Sequence, residues 1–201
     1  MKKILFITFF LVSSAFAFET YVEFKPGARG FTGDITNEID PNWNVSYGAQ
    51  VGMVWCKRWG VSLNYSNFHT EGRSIIENNN LPFNVDPYTH TTDITLNNLD
   101  VIGNGFWPIG CGLRPYVGIG PRISFVAIHN DSPFVDQKVE KTGVAGLIVI
   151  GMQMSKGCFF LDPFIEYTFF RMSFDHHDAE VIDFDGNFDT VQIGLGIGVR
   201  F

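Results

Sequence analysis

The residues able to do chemistry lie far apart along this chain, and their spacing limits what they can do. Ser66, His69 and Glu71 offer a nucleophile, a base and an acid within six positions. Acyl transfer needs those three groups in one hydrogen-bonded line near a rim. On an extended segment, however, side chains alternate between faces, so positions 66 and 69 point opposite ways. The trio does not make a site. No catalytic residue is assigned, and the chain is not expected to be an enzyme. Three cysteines, Cys56, Cys111 and Cys158, each sit beside a short turn. An odd number in an exported chain allows one disulfide plus a free thiol, a bridge to a partner envelope protein, or three reduced thiols with no role.

Two stretches carry metal-type donors. His176-His177 stands between Asp175 and Asp178, which suits a transition metal. With no cysteine nearby and no helical spacing, solvated loop residues are the plainer reading. The run from Asp183 to Asp189 reads D-x-D-G-N-x-D, with alternate oxygens about a glycine turn, as Ca²⁺ prefers. A calcium loop places its glycine sixth and closes with Glu. Here the glycine is fourth and the closing Glu is missing, so a polar turn is expected. No metal ligand and no cofactor is therefore assigned.

The elements that would position these residues are legible from the two ends of the chain. Lys2 and Lys3 precede an apolar run over residues 4–12 and then Ala15-Phe16-Ala17, the order of a cleavable export signal. Cleavage is expected after Ala17, with residues 18–201 as one domain. The apolar run is shorter than the roughly 20 residues that a spanning helix needs. At the other end, residues 191–201 put a large apolar residue at every odd position and Gly, Gln or Arg at every even one. A period of two describes a strand with one greasy and one small or polar face.

Eight such strands are read, over residues 20–29, 45–55, 59–66, 94–107, 115–126, 142–154, 159–170 and 190–201. The connections alternate. The short ones are residues 56–58, 108–114 and 155–157; the long ones are 31–44, 67–93, 127–141 and 171–189. Short turns on one rim and long loops on the other are the pattern of an all-β, transmembrane, antiparallel up-and-down barrel. The faces agree. One phase per strand puts Val22, Phe24, Val51, Leu63, Leu99, Val117, Ile123, Leu161 and Ile165 outside. The same phase puts Glu23, Lys25, Arg29, Asp100, Arg122, Asp162, Glu166 and Arg200 inside. A charge on a lipid face near the midplane costs roughly 2–4 kcal/mol, whereas water imposes no such rule. Trp55, Trp59 and Trp107 flank the short turns, where a membrane boundary would hold them. Eight strands leave an interior just wide enough for side chains, so a lumen of paired charges without an open pore is expected.

Sixteen of the 21 acidic residues fall in the four long connections, which makes the outer face acidic. Nucleic acid is a poor partner for such a surface. Divalent cations bridging lipopolysaccharide are compatible with it.

The mature chain resembles the OmpA-like and opacity-protein group of small eight-stranded outer-membrane barrels. The resemblance rests on the strand pattern, on Pro115-Tyr116-Val117-Gly118-Ile119-Gly120, and on a last strand ending in Phe201. It implies a bacterial outer membrane setting, contact with its lipid and lipopolysaccharide, and recognition of the closing strand by the barrel-assembly machinery. It also implies a structural envelope protein whose loops adhere to host or environmental surfaces. Two other functions stay open: a narrow channel or transporter for small solutes or hydrophobic molecules, and a lipid-modifying enzyme. The deacylase-type His-x-Ser pairing is absent from the lipid-facing strands.

Overall fold

The computed structural model describes residues 18–32, 43–76, 88–132, 135–174 and 184–201. The proposed leader at residues 1–17, the His176-His177 pair and Asp183 lie outside this set. The described residues form β1 (Glu19–Phe24), β2 (Gly27–Phe31), β3 (Asn44–Trp55), β4 (Trp59–Ile76), β5 (Tyr88–Phe106) and β6 (Leu113–Ser132). They continue with β7 (Val135–Lys156), β8 (Phe159–Phe169), β9 (Arg171–Phe174), β10 (Phe184–Asn187) and β11 (Thr190–Arg200). Each neighbour pairs antiparallel, and β1 and β2 both lie between β3 and β11, which closes the ring. β1 and β2 are one barrel strand interrupted at Pro26, a residue with no N–H for the ladder. Main-chain bonds between Lys25 and Gly48 carry the pairing up to that break. Counted this way, the chain is a transmembrane eight-stranded antiparallel up-and-down barrel.

The β8–β11 hairpin continues outward as β9 and β10 in the same register. At the junction Asp189 replaces ladder bonds. Its Oδ1 accepts from the Phe170 N–H at 2.9 Å and its Oδ2 from the Tyr167 hydroxyl at 2.9 Å. Its main-chain carbonyl accepts from the Thr32 N–H at 2.9 Å. The last aspartate of the calcium-like run is thus used in the wall.

Turns at the short end explain the hairpins there. Between β3 and β4, Cys56 and Lys57 both have positive φ, 53° and 57°, and the Arg58 N–H reaches the Trp55 carbonyl at 3.2 Å. Two left-handed central residues match the right-handed twist of the flanking strands. The β5–β6 connection uses Gly110, Cys111 and Gly112, all with positive φ, and the β7–β8 turn uses Gly157 at φ 65°.

The long connections differ from the sequence reading. β4 runs ten residues past the expected end at Ser66, and β5 begins at Tyr88 rather than Ile94. β6 and β7 pair as far as Ser132 and Val135, so most of the expected loop 127–141 is hairpin. The reason is an inversion of faces. On β4 the outward residues change from Trp59, Val61, Leu63 and Tyr65 to Asn67, His69 and Glu71, while Phe68 and Thr70 turn inward. On β5 they change from Leu99 and Val101 to Asn97, Thr95 and Asp93, with Ile94 and Leu96 inside. The lower part is greasy outside, as hydrocarbon demands, and the upper part is greasy inside, as water demands. A search for a greasy outer face therefore stops at the membrane boundary. β4 has 18 residues, well beyond the roughly 9–11 that span a bilayer.

Candidate functional site

The lumen holds the densest chemistry in the molecule, and the register builds it. Asn64 is opposite Asp100, and Asp100 is opposite Arg122. On the far wall Glu166 is opposite Gln192, and Gln192 is opposite Arg29. Within the first row, Arg122 donates from Nε to Asp100 Oδ1 at 2.6 Å and from Nη2 to Asp100 Oδ2 at 2.7 Å. Asn64 Nδ2 adds a donor to Asp100 Oδ2 at 2.7 Å. In the second row Arg29 Nη2 donates to Glu166 Oε1 at 2.9 Å and to Gln192. Arg122 joins the rows by reaching past β7 to Glu166 Oε1 at 2.7 Å, and it also donates to Thr168. Two guanidinium groups face two carboxylates, and all four side chains are at most 2% exposed. The charges match, although Arg29 Nε and Nη1 and Asn64 Oδ1 find no partner.

Below this layer the expectation of a fully paired lumen fails. Tyr116 donates to Asp162 Oδ2 at 2.7 Å and Gln50 donates to Tyr21 Oη at 2.8 Å. Lys25 reaches Gln50 Oε1 at 3.4 Å and stacks 4.1 Å over the Phe164 ring. Both carboxylate oxygens of Glu23, and Oδ1 of Asp162, accept no hydrogen bond. The Glu23 carboxylate lies over Gly196, where an added Cβ would stand 1.8 Å from Oε1. Alternation alone predicts which residues meet the axis and not which of them touch. At the rim Glu19 receives both Nη atoms of Arg114, at 2.8 and 2.9 Å, and Arg200 at 3.3 Å.

Apolar residues also fill the lumen, where the sequence reading expected a set of paired charges. Phe68, Ile94, Ile128, Phe170 and Phe188 cluster toward the long-hairpin end. Tyr21, Phe106, Tyr116, Phe160 and Phe164 cluster nearer the short turns. Phe106 and Tyr116 stack with centroids 5.4 Å apart, and Phe31 packs edge-on to Phe68 at 5.8 Å. The available signal was the even-numbered apolar series 94, 96 and 126, 128, which continues the inner phase. Among the described residues the lumen is occupied by an apolar layer, a charged layer, and a lower layer in which Lys25, Glu23 and Asp162 lie among aromatic rings.

The residues weighed for chemistry are dispersed. Ser66 faces the lumen and takes a hydrogen bond from Asn98 at 3.3 Å, while His69 and Glu71 are exposed on the outer wall. The trio is split, as alternation requires. Cys56, Cys111 and Cys158 are exposed, unpaired thiols on three separate turns. Trp55, Trp59 and Trp107 are exposed at the same end. Phe201 is likewise exposed, and its main chain exchanges hydrogen bonds with Thr20 at 2.8 and 3.2 Å, which seals the ring at its end.

No family model and no curated protein matches this sequence. Solved structures do share its shape. The N-terminal β-barrel domain of Pseudomonas aeruginosa OprF aligns with a TM-score of 0.53 and 16% identity, over 90% of this chain and 97% of that one. Neisserial surface protein A aligns at 0.52 with 12% identity, over 92% and 97%. The attachment invasion locus protein Ail of Yersinia pestis, solved with the heparin analogue sucrose octasulfate, aligns at 0.51 with 15% identity, over 92% and 99%. At such identities the similarity is one of fold.

Proposed function

We propose that residues 1–17 direct export and that residues 18–201 stand in a bacterial outer membrane as a closed structural barrel with adhesive outer hairpins. The observation that carries this reading is the occupied lumen. A matched four-charge layer lies between an apolar cluster and a lower cluster of aromatic and polar side chains, which leaves transport little room. The outward band of Val, Ile, Leu and Phe side chains suits lipid contact, and the exposed terminal Phe201 suits recognition by the assembly machinery.

The adhesive part rests on chemistry outside the membrane. Residues 31–44, 67–93, 127–141 and 171–189 carry sixteen acidic and only four basic residues. A sulfated polyanion of the kind bound to Ail would meet repulsion here. A cationic or cation-bridged surface on a host or envelope protein fits better, and nucleic acid does not fit. The test of closure is conductance of the refolded chain in planar bilayers. No steady single-channel steps are expected; reproducible steps would replace the structural reading with a channel. For adhesion, replacing residues 77–87 with a Gly/Ser linker should reduce attachment of displaying cells to a cationic surface. Unchanged attachment would remove the adhesive role.

A further inference from the structure

We propose that His69, Glu71 and Asp93 form a site for one divalent transition-metal ion of the zinc class, on the outer wall just above the lipid-facing band. All three side chains leave the same face of the β4–β5 ladder. Glu71 is directly opposite Asp93, and His69 is opposite Thr95 one outward pair nearer the membrane. A His69 ring nitrogen and one carboxylate oxygen from each acid lie within 4.8 Å of one another. No other group of three or more such ligands assembles among the described residues. The height is marked by Tyr65 and Asn67, which both donate to Asn97 Oδ1 at 3.0 and 2.8 Å along the upper edge of the greasy band.

Three independent features point to a cation. First, two carboxylates directly opposite on neighbouring strands repel and destabilise the pair. Second, Asp93 Oδ1 is shut off from solvent and accepts no hydrogen bond from the protein, a condition that buried acceptors rarely tolerate. Third, the His69 Nδ1 lies 3.0 Å from Thr95 Oγ1. In the tautomer that donates from Nδ1, this contact fixes the ring and leaves the Nε2 lone pair for a metal, as an outer partner does for a ligating histidine. One imidazole with two carboxylates favours zinc-class ions over Ca²⁺ or Mg²⁺, which take oxygen alone. The ligands stand on paired strands, so little ordering is needed on binding. Among the described residues, the other ionisable groups on this face include His129, opposite Asp93 on β6, exposed Asp131 two residues beyond it, Lys138 opposite His129, and Glu140 further along β7. Three protein ligands leave a coordination position for water or an anion.

The experiment uses the tag-free mature chain refolded in detergent, with Zn²⁺ offered against a chromophoric chelator. One equivalent is expected to leave the dye for the wild type. His69→Gln and Asp93→Asn should each weaken uptake by roughly tenfold or more, while His176→Ala with His177→Ala should retain it. Ca²⁺ at equal concentration should not displace the metal. Heat-shifted gel migration reports that each variant is folded, and Asp93→Asn keeps the shape of the side chain. The proposal is overturned if the wild type takes no Zn²⁺ from the dye, if both wall variants bind like wild type, or if the loop variant abolishes uptake. Equal binding of Ca²⁺ overturns the assignment of ion class.

Discussion

Arg122 decides the charge balance of the lumen, because it alone touches both carboxylates of the central layer, Asp100 and Glu166. Removing one partner of a buried pair leaves an uncompensated charge and costs about 3–5 kcal/mol. Arg122→Leu is therefore expected to lower stability by about that amount, read from urea unfolding in lipid vesicles. Adding Asp100→Asn should recover part of the loss, since Glu166 keeps Arg29 as its partner and no buried charge is then left unmatched. If Arg122→Leu unfolds at the wild-type urea concentration, the layer contributes nothing to stability. Gly196 works at the same scale by leaving space: the Glu23 carboxylate occupies the volume a Cβ would take.

At the scale of the element, each long strand carries two opposite amphipathic patterns in sequence. The switch falls between Tyr65 and Asn67 on β4 and between Leu99 and Asn97 on β5. The hairpins leave hydrocarbon there and continue as a water-facing barrel top around Phe68 and Ile94. The turns at the other end show local strain. Lys57 holds a φ of 57°, a region that costs a residue with a Cβ roughly 1–2 kcal/mol. Glycine is favoured at the second central position of such a turn. Lys57→Gly is expected to stabilise the fold by roughly 0.5–1 kcal/mol after the entropy that glycine adds to the unfolded chain. A rise in the urea midpoint with an unchanged slope would check it; a fall would show that Lys57 makes contacts worth more than the strain.

At the scale of the molecule, closure leaves the strands of the ring without unpaired edges, and hydrocarbon tolerates none. β1 joins β11 on one side and β3 on the other, so the chain can satisfy its main chain only as a complete ring. More than two dozen large apolar side chains are exposed on the outer surface, far beyond the scattered apolar residues that a water-soluble monomer carries. The mature chain is accordingly expected to refold only when detergent or lipid is supplied, with a heat-shifted gel migration as the sign of the closed barrel. Folded monomers in plain buffer would contradict the whole architecture. The three exposed cysteines stand on different turns, so they report on the short-turn rim without holding the ring together.

Residue order alone determined that this chain would alternate faces, which side chains would meet lipid, and that no catalytic trio would assemble from Ser66, His69 and Glu71. Those are period-two facts, fixed by strand geometry whatever the neighbours are. Only the tertiary structure decided which inward groups touch: Arg122 reaches past β7 to Glu166, while Glu23 reaches no donor. It also decided that β4 and β5 continue past the membrane and bring His69 and Glu71 to Asp93. Register sets those meetings, and register depends on long-range closure between strands, which no single stretch of sequence contains.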